Sequence, residues 1–218
     1  MTTLTTAPMA PLLDRLFQEA DAATSPAIGV LTRDERERLM RSKTEYLGLY
    51  RLMKDLWLPV SRETGVLLYM LARSSAARNI VEFGTSFGIS TLHLAAALRD
   101  NGGGRLITSE FEPSKVARAR RHLSEGGVID LVDIREGDAL KTLNADLPDA
   151  IDLVLLDGAK SLYPEILGLL ESRLRPGALI VADNADYCPD YLERVRKPGG
   201  GYLSVPFAED VELSLRLG

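Results

Sequence analysis

From residue 79 onward, short runs of branched apolar residues alternate with stretches of helical periodicity, and few folds accommodate that alternation. Asn79-Ile80-Val81-Glu82-Phe83 reads as a buried strand, with a helix after it from about Gly88 to Leu98. Arg105–Ser109, Leu131–Ile134, Ile151–Leu156 and Leu179–Ala182 repeat the strand pattern. Helices are expected over 113–123, where Pro113 suits a first helical position, and over 163–173, ending at Pro176-Gly177. Strands separated by helices build βαβ units and a mostly parallel sheet, so the fold class is α/β. The tail departs from this rhythm. Tyr202–Val205 and Val211–Leu217 have no long helix between them and predict a terminal antiparallel pair on the sheet.

The segment before residue 61 is helical and carries no chemical motif. Residues 1–10 read as frayed. Leu12, Leu13, Leu16, Phe17 and Ala20 recur at helical spacing from Pro11 to about Ala23. Thr32 and Glu35 form a capping-box pattern ahead of a helix running to about Trp57, and Ser61 caps a third through about Ala72. We divide the chain into a helical extension, 1–60, that caps the site or packs a homodimer, and a sheet domain, 61–218. A length of 218 residues suits one domain with such an appendage.

Charge and composition exclude several function classes. A net charge of -5 argues against gripping a phosphate backbone, so no nucleic-acid partner is expected. No apolar run reaches membrane-spanning length, so no membrane partner is expected. The first residues lack the basic start and apolar stretch of a signal peptide. The single cysteine, Cys188, excludes an intrachain disulfide and fits a reducing compartment. Together these predict a cytoplasmic protein.

Ligands of open α/β sheets bind at the carboxyl ends of the strands, and three such ends here carry unusual residues. The first is Glu82-Phe83-Gly84-Thr85-Ser86-Phe87-Gly88-Ile89-Ser90. Gly84 permits a tight turn, and Gly88 permits close approach of a ligand to the helix start. The spacing is not the G-x-G-x-x-G of a pyrophosphate loop. An acid just before the first glycine suits a ligand bearing an amino group and a sulfonium. Glu110, ending the next strand, is placed to accept the two hydroxyls of a ribose. Asp138, in Glu136-Gly137-Asp138, either accepts an adenine amino group or caps a helix.

The third end is Asp157-Gly158-Ala159-Lys160, with Asp183-Asn184 after the following strand. If those strands are neighbours, their ends lie about 4.8 Å apart and three oxygen-bearing side chains converge. Asp157, Asp183 and Asn184 are hard oxygen donors suited to Mg²⁺ or Mn²⁺. Only two histidines occur, His93 and His122, and neither falls near these ends, which argues against zinc.

In this order, these residues resemble the catechol O-methyltransferase group and its bacterial relatives, which include the caffeoyl-coenzyme A type. The similarity covers residues 58–218. It implies a Rossmann-like, doubly wound sheet of seven strands with the last antiparallel. It also implies an S-adenosylmethionine loop at Glu82, Gly84, Gly88 and Ser90, with Thr85 and Ser86 between them and a ribose carboxylate at Glu110. Asp157, which borders that loop, and Asp183 and Asn184 match the family's magnesium ligands, and Lys160 its catalytic lysine. Two positions depart from the pattern. Ala159 stands where the family usually has tryptophan, and Phe207 or a neighbour stands where the animal enzyme has a glutamate. The expected reaction is metal-dependent methyl transfer to a hydroxyl of a small phenolic or catechol-like acceptor, with Lys160 as general base. A bound metal and sulfonium are expected to lower the Lys160 pKa. The alternatives are a metal-independent methyltransferase and a nicotinamide oxidoreductase.

Overall fold

The computed structural model describes residues 1–24, 31–207 and 210–218. Its centre is a seven-stranded sheet: β1 (Asn79–Phe83), β2 (Arg105–Glu110), β3 (Val132–Glu136), β4 (Ile151–Leu156), β5 (Leu174–Ala182), β6 (Tyr202–Phe207) and β7 (Val211–Arg216). The spatial order is β3-β2-β1-β4-β5-β7-β6. The first five strands run parallel; β7 is antiparallel to β5 and to β6. The order reverses at β1, and β1 and β4 are neighbours, so their carboxyl ends form the crevice where such sheets bind ligands.

Strands buried on both faces read as continuous apolar runs, and β1 and β4 do. Ile80 and Leu153 face one apolar layer, together with α1 (Met9–Ala22), α4 (Arg62–Ser74), α5 (Ile89–Asp100) and α6 (Pro113–Glu125). Val81 and Val154 face the other, with α7 (Ala139–Thr142), α8 (Tyr163–Leu170) and α9 (Pro189–Arg196). His93 and His122 are buried in this frame, each with Nδ1 at 2.8 Å from a backbone carbonyl, of Ile89 and Phe87 respectively. No helix among the described residues is long and apolar enough to cross a membrane.

Three local expectations need correction. The N-terminus is not frayed. The Thr3 N–H and hydroxyl donate to Asp100, and Met9 is fully buried at the start of α1. The helix expected from Thr32 to Trp57 is two: α2 (Arg33–Arg41), which does begin with the Thr32/Glu35 capping box, and α3 (Tyr46–Leu52). The break falls at Ser42, whose Oγ accepts from the N–H groups of Thr44 and Glu45 and so competes with helical bonding. Finally, β5 begins at Leu174 and runs through Pro176-Gly177. Pairing passes from Ile151–Leu174 to Leu153–Leu179, so the Pro-Gly pair sits in a bulge, where a missing ladder donor is tolerated.

Candidate active site

The first cavity, about 240 Å³, lies over the ends of β1 and β2 and is bordered by Gly84, Ser86, Glu110, Lys115, Asp138 and Asp157, among others. Its floor depends on a close backbone approach. A Cβ on Gly84, at φ +109°, would lie 2.6 Å from the Asp157 carbonyl oxygen. Only glycine meets both demands, and this contact brings the loop after β1 against the tip of β4. Ser86 also adopts a left-handed backbone, φ +47°, and its N–H donates to Glu110 Oε2 at 2.8 Å. The Glu112 N–H donates to Glu110 Oε1 at 2.9 Å. Each carboxylate oxygen therefore has one fixed donor and lone pairs left for a ligand. Asp138 caps α7, accepting from the Leu140 N–H at 3.0 Å, and also borders the cavity.

Glu82 does not border this cavity. It is fully buried beneath the loop, where Ser90, Thr91 and Thr108 donate hydroxyl hydrogen bonds to it at 2.6, 2.6 and 2.7 Å. Burial raises its pKa from 4.5 to about 7, against the opposing pull of those hydroxyls. Glu82 and Ser90 thus shape the loop from below. Thr85 is buried too, its hydroxyl 2.6 Å from that of Thr108. Gly88 opens α5 at φ +89°; a Cβ there would make only ordinary contact with Ala119, so within the protein the backbone angle is what favours the glycine.

The second cavity, about 700 Å³, is bordered by Asp157, Lys160, Asp183, Asn184 and Asp210, and by residues of the N-terminal helices. Leu156 pairs with Ala182 in the β4–β5 register, so Asp157 and Asp183 leave adjacent strand ends. The Tyr163 hydroxyl donates to the Asp183 carbonyl at 2.7 Å and steadies that end. Asn184 takes a left-handed backbone, φ +48°, which asparagine tolerates, and its Nδ2 donates to Asp210 Oδ2 at 2.7 Å. Its Oδ1 has no such partner among the described residues. Lys160 is buried in a 3-10 turn, with Nζ 2.8 Å from Asp157 Oδ1 and 3.8 Å from Asp183 Oδ2. Burial alone would depress the Lys160 pKa. Asp157, Tyr163, Asp183 and Tyr50 outweigh it and hold the ammonium well above the usual lysine range. The Asp183 carboxyl is pushed up to about 7 by burial and by Asp157. Among the described residues no group of three or more His, Cys, Asp or Glu side chains gathers as a metal site. The candidate donor set is instead two carboxylates and one amide.

Sequence reasoning missed several residues here. Tyr46 and Tyr50, one helical turn apart on α3, roof the first cavity, and the Tyr50 hydroxyl donates to the Gly158 carbonyl at 3.3 Å. Lys115 reaches the first cavity from α6, buried and with Nζ 3.5 Å from Ser86 Oγ. Asp210 borders the second cavity, whereas Phe207 is 41% exposed on β6 and borders neither. Ala159, which stands where the family usually has tryptophan, borders the first cavity and is largely buried.

The architecture and strand-end chemistry meet a family whose model, described as O-methyltransferase, matches residues 47–195. The chain belongs to this O-methyltransferase family. It is 38% identical over 128 residues to a catechol O-methyltransferase of Niastella koreensis, covering 57% of each chain. It is 36% identical over 125 residues to one of Mycobacterium tuberculosis, covering 57% of this chain and 56% of the relative. The chain therefore spans somewhat over half the length of these curated relatives. Among solved structures it is similar to the O-methyltransferase TomG of Streptomyces achromogenes, involved in tomaymycin synthesis and solved in complex with SAM. That pair shows a TM-score of 0.66 and 27% identity over 94% of this chain and 96% of the other. A Geobacter sulfurreducens methyltransferase gives a TM-score of 0.64 and 25% identity, covering 94% and 98%. This O-methyltransferase family member thus has the seven-stranded sheet with an antiparallel last strand that the resemblance implied.

Proposed function

We propose that the chain transfers a methyl group from S-adenosylmethionine to a hydroxyl oxygen of a small phenolic acceptor, with a divalent cation at Asp157, Asp183 and Asn184. The observation that carries this reading is Asp157 itself. It borders both the glycine-loop cavity and the cavity of the carboxylate and lysine cluster. A donor in the first cavity and an acceptor in the second would therefore meet at one residue, which is the positioning that a two-substrate reaction most needs.

In the first cavity, Glu110 accepts the ribose hydroxyls, Ser86 and Gly84 line the loop, and Tyr46 and Tyr50 exclude water from above. The cofactor supplies an electrophilic methyl group. In the second, the donor set fits a hard cation, because two half-buried carboxylates crowd together and a free amide oxygen adjoins them. Mg²⁺ or Mn²⁺ held there would supply Lewis acidity that favours the ionised form of the acceptor hydroxyl. With a cation on Asp157 and Asp183, the charges that hold Lys160 as an ammonium would be removed; once its proton is released to solvent, the neutral amine at Nζ would accept the proton of the acceptor hydroxyl. Met40, Leu49, Met53, Leu56 and Leu58 form an apolar wall suited to a flat aromatic ring.

A second reading, metal-independent transfer, rests on one observation: Lys160 already supplies a counter-charge to both carboxylates. Family membership leaves the nicotinamide alternative without support. The test is incubation of the purified protein and Mg²⁺ with methyl-labelled S-adenosylmethionine and a panel of vicinal dihydroxy aromatics. Label on a product oxygen is expected. Bound cofactor with no label in any product would contradict the proposed reaction.

A further inference from the structure

Arg36, on α2, borders the second cavity. Its Nε is closed off from solvent and has no hydrogen-bond partner. Its helix neighbours Arg33 and Arg38 pair with Glu37 and Glu45, whereas Arg36 forms no such pair among the described residues. The other charged groups of the wall are Lys160, Glu63, Asp157, Asp183 and Asp210. Asp157 and Asp183 adjoin Lys160, and Asp210 accepts from Asn184. Glu63 is exposed in the first turn of α4, where the helix dipole already favours it. The remaining wall is largely apolar, with Met40, Leu49, Met53, Leu56 and Leu58. The cavity therefore combines the Asp157–Lys160–Asp183 cluster, an apolar wall and one guanidinium with no ion-pair partner among the described residues.

A guanidinium presents a planar fork of donors that matches a carboxylate, and the partly exposed end of Arg36 borders the cavity beside an apolar wall that screens a charge pair poorly. We infer that Arg36 binds a carboxylate of the acceptor, so that the acceptor class is an ortho-dihydroxy aromatic acid and not a neutral catechol. This rests on the reading of the second cavity as the acceptor site. It goes further by assigning the acceptor a charge and the chain a residue that selects for it.

The test is calorimetric binding of 3,4-dihydroxybenzoate and of catechol to the full chain loaded with S-adenosylhomocysteine and Mg²⁺. Wild type should bind the acid at least about tenfold more tightly than catechol, the scale of a charge-assisted hydrogen bond. Arg36→Gln should bring the two ligands to within about twofold of each other, and Arg36→Lys, which keeps charge but loses the fork, should fall between. Equal affinities in wild type, a preference that survives in Arg36→Gln, or no binding of either ligand would overturn the inference. Binding of S-adenosylhomocysteine to the same samples reads the cofactor assignment separately. A variant that has lost it has lost its fold, and Arg36→Lys then carries the comparison.

Discussion

The Ser86 N–H donates to Glu110 Oε2 at 2.8 Å, so the loop after β1 and the carboxylate ending β2 are one unit before any ligand arrives. Removing the carboxylate strips the loop of that restraint and the ribose of its acceptor. Glu110→Ala should weaken S-adenosylmethionine binding by at least about tenfold, because hydrogen bonds to a charged acceptor are worth roughly 1.5–3 kcal/mol each. Calorimetry on the folded variant reads this directly. Unchanged affinity would take Glu110 out of the site.

Glu82 predicts a pH dependence of stability. Its pKa rises from 4.5 to about 7 on folding, chiefly through burial. A raised folded-state value means that the unfolded chain gives up the proton first. The contribution is fully present below the unfolded value of 4.5 and is lost as pH rises through the folded value of about 7. The loss is on the order of 3 kcal/mol. Glu82→Gln does not titrate, so the melting temperature of the variant relative to wild type should climb across that window and level off above it. A difference independent of pH would mean that Glu82 is not protonated on folding.

Lys160→Met should cut kcat by about 10²–10⁴-fold, the usual contribution of general base catalysis, while cofactor affinity stays close to wild type. The deficit should shrink at high pH, as the acceptor ionises unaided. Wild-type kcat in the variant near neutral pH would show that the ammonium only balances Asp157 and Asp183.

The sheet was legible because strands buried on both faces leave uninterrupted apolar runs such as Ile151–Leu156. The clustering of the candidate residues was legible because strand ends in such sheets converge: Glu110, Asp157, Asp183, Asn184 and Lys160 all border cavities. The start of β5 was not, since Pro176-Gly177 carries the composition of a loop and only pairing with β4 makes it a strand. The α2–α3 break turns on the side chain of Ser42, which a periodicity count passes over. Sequence places Glu82 beside the glycines but cannot show that three hydroxyls, one of them on β2, bond it from below. Tyr46, Tyr50 and Arg36 enter the walls only through tertiary packing, from helices whose own pattern carries no motif.

The central claim is that Asp157, Asp183 and Asn184 hold a cation that the reaction requires, at the junction of the two cavities. The most direct measurement is the rate of labelled methyl transfer after exhaustive chelation, then after return of Mg²⁺ or Mn²⁺, with S-adenosylhomocysteine affinity followed in parallel. The account predicts that turnover disappears on chelation and returns with either metal, while cofactor affinity stays constant throughout. Full turnover in the chelated protein would contradict it and leave Lys160 as the only cation that these carboxylates need.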